Sequence, residues 1–349
     1  MSDRSVQLWL VGVGCAVAAL AVCLVVPKAL GGWLMAFVFW SSLPLGALVL
    51  LMMIRIIPGK WRRELGGAAE VAILLSPLAL LAVLPVFAGL GALYPWADTS
   101  GEGGFRGAYL MPWSFVLRTV LFFALSVALA VLLMGRPRWS MPVSVAGLIL
   151  FVPFDTAIAF DWLMSLDPKF HSSGFGLYIL SIQVVIAVCL LILAYLSAGP
   201  RAGLSGIPGA VLLSALLLWA YFAFMQFFII WSTNLPHGVL WYQHRSGGAW
   251  TGIMWVVAAL HFLPAFLLLF SPFRRGRAWL MGFAAAILVG KALEVSWLVL
   301  PNIYAGFPSV AVALLSLGGL GALTAAAVPR ARRWRNHAMV SAAEREFTP

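Results

Sequence analysis

Three observations predict an all-α, polytopic membrane protein of about ten transmembrane helices. Apolar residues fill 63% of the 349 positions and charged residues only 9%, a balance that water-soluble globules of this length do not carry. Apolar runs long enough to cross about 30 Å of hydrocarbon recur along the whole chain. Basic residues gather beside alternate connectors between those runs, as the positive-inside rule requires of a multi-pass protein. The runs do not alternate in polarity, which argues against a barrel of short strands.

The first run, 6–26, is as long as a span and leads into Val26-Pro27-Lys28. That is no small-residue cleavage site, so the run reads as a retained helix rather than a signal peptide. Runs 33–57 and 68–91 follow, joined through Lys60, Arg62 and Arg63. The connector 92–111 leads to 112–134 and 141–160, which meet at Arg136 and Arg138. The connector 161–173 leads to 174–198, and Arg201 precedes 208–234. The connector 235–248 leads to 249–271, and Arg274, Arg275 and Arg277 precede 278–300. The last run is 308–328, within a transmembrane domain taken as 1–329, and a basic tail fills 330–349.

Of the 22 Lys and Arg residues, 16 lie on the side of the two termini. Lys28, Arg106, Lys169 and Arg245 lie on the other side, and Arg118 and Lys291 fall within spans. Both termini are therefore expected in the cytoplasm, with the protein in a bacterial inner membrane. The net charge of +11 is this bias, and nucleic-acid binding is not needed to explain it. Cys15, Cys23 and Cys189 all lie in spans and form no Cys-x-x-Cys, so neither an iron–sulfur cluster nor a disulfide framework is indicated.

Polar residues within the spans favour the outer half. At about 1.5 Å per helical residue, Arg118, Asp155 and Glu294 lie about 8–9 Å below the outer ends of their helices. Lys291 is a turn deeper, Gln183 and Gln226 about 12–14 Å deep, and His261 near mid-span. A charge at such depth costs about 2.5–3.5 kcal/mol on insertion scales, so partners are expected. Lys291 and Glu294, three apart on one helix, can pair. Arg118 and Asp155 are expected to form a second pair, and Glu70, near the opposite interface, is expected to be solvated.

Two readings of this cluster stand side by side. The charges neutralise one another structurally, or Asp155, Glu294, Lys291, Arg118 and His261 form a proton relay with the amides Gln183 and Gln226 nearby. A quinone head-group site is the variant of the second reading, since quinol oxidation needs acceptors for two phenolic protons and an aqueous exit. Bound haem is not expected, because a membrane b-haem commonly takes two buried axial ligands and only His261 lies in a span. No metal site is expected. The connector 161–173, with Asp161, Asp167, His171 and Ser172, is expected to be an ordered cap, with Trp162 and Phe175 anchored at the interface.

Two stretches carry a resemblance. One is Asp161-Trp162-x-Met164-Ser165-Leu166-x-Pro168 with Ser172-Ser173-x-Phe175-Gly176-x-Tyr178. The other is Gln226-x-x-Ile229-Ile230-Trp231-x-x-Asn234-x-Pro236, followed by Trp241-Tyr242, Arg245 and Trp250. Together they cover about an eighth of the chain. They resemble the ActF-type integral subunit of alternative complex III, within the NrfD-like, polysulfide-reductase-type membrane proteins. His237-Gly238 stands where acidic residues are expected after Asn-x-Pro, a departure from that pattern.

The resemblance implies two four-helix bundles, here 33–160 and 174–300, with two flanking helices. It further implies a subunit of a respiratory quinol:electron-acceptor oxidoreductase without its own redox centre. Its partners would be cytochrome and iron–sulfur subunits, and quinone or quinol its small-molecule ligand. Gln183, Gln226, Tyr178, Asp161, His171 and Asn234 are then candidates for quinone or outer-cap contacts. A proton-coupled secondary transporter and a scaffold with paired buried charges are the rival readings; against the transporter, no paired broken helices or inverted repeat can be discerned.

Overall fold

The computed structural model describes residues 3–98, 107, 109–135, 140–199 and 205–347, with side chains as far as residue 338. Arg106, Arg136, Arg138 and Arg201, counted in the charge asymmetry, lie outside the described residues, as does the side chain of Arg345. The described chain is all-α and polytopic, with nine helices long and apolar enough to cross a membrane, or ten with a bent pair counted as one span.

The spans are α1 (Asp3–Val25), α2 (Leu30–Ile56), a broken third span, α7 (Pro112–Gly135), α8 (Ser140–Trp162), α9 (Phe175–Ser197), α10 (Ile207–Thr233), α12 (Ala249–Leu267), α14 (Arg277–Ile303) and α15 (Phe307–Phe347). Two short helices complete the set, α11 (Pro236–Gln243) in the 235–248 connector and α13 (Ser271–Arg275) before α14.

The third span is not one rod. It consists of α3 (Trp61–Ile73), α4 (Ser76–Ala82), α5 (Leu84–Ala88) and α6 (Leu90–Leu93), with a 43° bend after α3. Pro77 and Pro85 occupy first-turn positions of α4 and α5. A proline there lacks the N–H that would continue the preceding helix and restricts the residue before it. Among the described residues this is the one pair broken in this way, so broken helices do occur, though not as two matched sets.

The last helix differs too. Residues 330–347, expected as a tail, continue α15 through Pro329 without a break. Arg335 on this extension donates to Glu70 at 2.8 Å, and Arg55 reaches the other carboxylate oxygen at 2.9 Å. Glu70 is thus clasped by two guanidinium groups rather than simply solvated.

Helix α2 is the hub, buried on nearly all sides and packed against α3, α8, α9, α14 and α15. In lipid, helices associate through close van der Waals approach, which small residues permit. Gly46 shows it: a Cβ there would run into the backbone of Gln183 on α9. Helices α7 and α8 pack together beside α2, as do α12 and α14 on its other side; α9 contacts α2, α8, α10 and α14. Helix α1 packs along α15 as a flanking pair. One end of the assembly carries the clasp at Glu70 (the basic end), and the other carries the 161–173 and 235–248 connectors (the cap end).

Candidate functional site

The most polar buried point lies among α9, α10, α12 and α14, each contributing one or two side chains. Lys291 and Glu294, one turn apart on α14, pair at 2.7 Å with almost no exposure of either. The other oxygen of Glu294, Oε1, accepts from the Tyr178 hydroxyl at 2.5 Å and from Trp219 Nε1 at 2.8 Å. Three donors therefore converge on one carboxylate, which meets the demand of a buried charge for a partner and for satisfied lone pairs. The Lys291 ammonium also lies 3.7 Å from the Trp219 ring centroid, a cation–π contact.

His261 stacks its ring on the other aromatic neighbour of this site, 4.4 Å from Trp219 between centroids. Its Nδ1 contacts the Val257 carbonyl at 2.7 Å, and its Nε2 is buried without a hydrogen-bond partner among the described residues. Gly290 makes room for it, since a Cβ there would sit 2.5 Å from His261 Cε1. The His261 ring is therefore held in place by packing on both sides.

A second polar point lies at the seam between α8 and α9. Gln183 Nε2 donates to Asp155 Oδ1 at 3.0 Å, while Asp155 Oδ2 and Gln183 Oε1 are buried and have no hydrogen-bond partner among the described residues. Arg118 does not join it. Its guanidinium instead forms a forked pair with Asp161, at 2.7 and 3.0 Å, and donates to Ser114 Oγ at 2.6 Å. The reason is the direction of the helices. Side chains lean toward a helix's N-terminus; α7 begins at the cap end and α8 ends there. Arg118 therefore leans toward the cap, Asp155 leans away from it, and the two diverge. Tyr109 caps the pair, with the Arg118 guanidinium 3.7 Å from its ring centroid. Burial, then the nearby Asp161 charge, pushes the Tyr109 hydroxyl pKa up to about 12.

The 161–173 connector is tied at several points. It contains a 3₁₀ turn, Met164–Leu166, and Ser165 Oγ donates to the Asp161 carbonyl at 2.5 Å. Ser172 Oγ donates to Gln226 Oε1 at 2.7 Å, and Phe170 stacks on Trp241 of α11 at 4.5 Å. Trp162 and Phe175, expected at the membrane interface, are each only 2% exposed. Trp162 packs among Phe37, Phe122 and Phe123 and donates to Thr119 Oγ1 at 3.1 Å. It plugs the core where the end of α8 meets α2 and α7. His171 and Asn234 are exposed and apart; Asn234 ends α10 in the left-handed region at φ 47°.

The sequence-derived candidates therefore separate into four places. Glu294, Lys291, His261 and Tyr178 come together; Asp155 joins Gln183; Arg118 joins Asp161; and Gln226 joins Ser172. Two contributors were not among the site candidates, although Arg245 belongs to the second resemblance stretch. Trp219 sits in an aromatic-rich helix with no spacing to mark it. Arg245 is 1% exposed, donates to the Trp241 and Leu298 carbonyls at 3.1 and 3.2 Å, and leaves Nε without a partner. Its guanidinium lies 3.8 Å from the Trp241 ring centroid. Burial pushes its pKa down, with Asp167 and Tyr242 opposing that shift. The signal for Arg245 is a lone arginine inside an aromatic connector.

Arg245 borders an apolar cavity of about 380 Å³ with Tyr242, Trp297, Phe227 and Trp231. A cavity of about 440 Å³ lies beside His171 and Tyr109. A third, of about 580 Å³, is at the opposite, basic end. Among the described residues, no three His, Cys, Asp or Glu side chains converge as metal ligands. The chain matches no family model and no curated protein.

Proposed function

We propose that this chain is a proton-conducting integral subunit of a respiratory quinol:electron-acceptor oxidoreductase of the alternative complex III type. In this reading it lies in a bacterial inner membrane with both termini cytoplasmic, and its cytochrome and iron–sulfur centres belong to partner subunits. The observation that carries the reading is the Glu294 site. Its carboxylate is a buried titratable acid hydrogen-bonded to two further titratable groups, Lys291 and Tyr178, so a proton there has neighbouring donors and acceptors to move between. His261 Nε2 beside that site, and Asp155 Oδ2 and Gln183 Oε1 at the α8–α9 seam, are buried without hydrogen-bond partners among the described residues. Polar atoms of this kind are where internal water binds, and water between titratable groups supplies a proton path. The two resemblance stretches support the assignment to the respiratory family.

Quinone is accommodated separately, at the cavity bordered by Arg245 and Tyr242. Its aromatic and aliphatic walls suit a quinone ring, and the Tyr242 hydroxyl and the Arg245 guanidinium are the groups that would hold the carbonyl oxygens. The transporter reading has less support, because a single bent span is not the matched pair of broken helices such a mechanism uses.

The test is quinol-dependent turnover and proton uptake in the assembled complex. Glu294→Gln and Asp155→Asn keep shape and hydrogen-bonding capacity while removing the titratable acid. Each is expected to cut turnover at least tenfold. The double change Glu294→Gln with Lys291→Met is expected to restore assembly without restoring activity. Full turnover in the double variant would leave Glu294 a structural partner of Lys291 and defeat the proposal.

A further inference from the structure

A further cavity lies where the polar residues of the sequence gave no reason to look. It is a cleft of about 580 Å³ between α2, α3, α9 and α15 at the basic end. Its walls are apolar, with Trp40 and Leu43 from α2, Leu190 and Leu191 from α9, and Val328 from α15. Trp40 is fixed in that wall by its Nε1 bond to the Leu317 carbonyl at 2.9 Å. The rim is different in kind: Arg63, Arg332 and Arg335 line it, with Glu64 and Asn336.

The charges of the rim do not cancel. Arg335 is engaged with Glu70 through Nε, and Glu64 accepts from Ser205 Oγ at 2.5 Å. Arg63 and Arg332 are exposed and have no carboxylate within ion-pair distance among the described residues. With Arg335 paired to Glu70, two exposed guanidinium groups, Arg63 and Arg332, face one rim carboxylate, Glu64. The depth is also informative. From Arg332 at the rim to Gly321 at the floor is eleven residues of α15, about 16 Å of helix. That is about one leaflet of a hydrocarbon core of about 30 Å.

We infer that this cleft binds an anionic phospholipid, with an acyl chain along the Trp40–Leu191 wall and the phosphate between Arg63 and Arg332. A soluble anion would use the rim but not the apolar wall a leaflet deep. A neutral quinone would use the wall and accept hydrogen bonds at the rim, but it lacks the charge that two unpaired guanidinium groups select for. An anionic amphiphile uses both, and basic pockets between transmembrane helices are a known mode of headgroup recognition. Guanidinium also suits phosphate through its planar fork of donors. The inference is independent of the proposed respiratory function.

The test uses the full-length protein in detergent, delipidated and titrated with phosphatidylglycerol, phosphatidylcholine or a short-chain quinone. Bound lipid is read by native mass spectrometry. Quenching of Trp40 is read with phosphatidylglycerol brominated on its acyl chain, against a Trp40→Phe control. Phosphatidylglycerol is expected to bind at least tenfold more tightly than phosphatidylcholine and to quench Trp40. Arg63→Gln with Arg332→Gln, both exposed side chains, is expected to abolish that preference. Ala325→Trp, which projects into the cleft without touching the rim, is expected to block both lipids while leaving the melting temperature within a few degrees. Equal binding of the two lipids, preference for the quinone, or unchanged binding in the arginine double variant would each overturn the inference.

Discussion

The cap half and the basic half of this molecule place charge in opposite ways. In the cap half, Lys291, Glu294, Asp161 and Asp155 are withdrawn into the protein, and each meets a partner within 3.0 Å. In the basic half, Arg63 and Arg332 stay at a rim, and the space behind them is open and apolar. At the cap end buried charge is thus held by its partners, whereas at the basic end exposed charge stands over an open apolar volume of about 580 Å³. The depth of a polar residue shows where a partner must be found, but not where a ligand fits. A ligand site needs volume, and volume is set by how the helices splay.

The comparison is broken most directly by removing one buried cation. Lys291→Met leaves Glu294 without its counter-ion at a fully buried position, at a cost of about 3–5 kcal/mol. The expected outcome is little or no folded protein in the membrane, measured by detergent-solubilised yield and thermal unfolding. Adding Glu294→Gln is expected to recover most of it. If Lys291→Met alone is well tolerated, Glu294 is already neutral and the cap half holds no true ion pair at this point.

A contrast within the cap half follows. Trp162→Ala removes a ring packed by three phenylalanines, at a cost of about 3–5 kcal/mol, the usual penalty for emptying a large aromatic site. Trp113→Ala, at a position 64% exposed, is expected to change the melting temperature by no more than a degree or two. Equal effects would mean that Trp162 does not hold α7 and α8 against α2.

Much of the fold was legible in sequence, because a span is a one-dimensional property: a run of apolar residues and its flanking charge. The breaks in the third span were written in Pro77 and Pro85, but the apolar run masks them when hydropathy alone is followed. The extension of α15 was hidden for the opposite reason. Its residues are charged and alanine-rich, favourable to helix yet silent in hydropathy. The Lys291–Glu294 pair was legible because both residues sit on one helix, three apart. The Arg118–Asp161 pair required the direction in which each side chain leans, and depth along the axis does not contain it. Tyr178 and Trp219 meet Glu294 across 116 and 75 residues of sequence, a convergence that only the packed bundle displays.

That convergence offers a finer test of how strongly the cap half holds its carboxylate. Tyr178→Phe and Trp219→Phe each remove one donor to the same oxygen, Oε1. With the other donor still present, each single change is expected to cost about 1.5–3 kcal/mol, the range for hydrogen bonds to charged groups. Together they leave Oε1 bare, so the double variant is expected to lose more than the sum of the two. Thermal unfolding of all four proteins gives the coupling. Additive losses would show that Oε1 is satisfied from elsewhere.

The smallest expected effect comes from the basic half and completes the comparison. Glu70 accepts from Arg55 through one oxygen and from Arg335 through the other, with 14% of its side chain exposed. Glu70→Gln keeps one carbonyl oxygen for one arginine and turns its amide group toward the other, so one charge-assisted bond is lost. Both guanidinium groups are partly exposed and can turn to water or lipid phosphate, which an ammonium walled in at Lys291 cannot do. The loss is therefore expected to be about 1 kcal/mol, as for ion pairs near solvent. Its local signature should be faster hydrogen exchange along residues 330–338 of α15, where Arg335 no longer ties the helix to α3. If Glu70→Gln instead destabilises the protein as severely as Lys291→Met, the rim is as closed to solvent as the core, and the division between a sealed cap half and a wetted basic half fails.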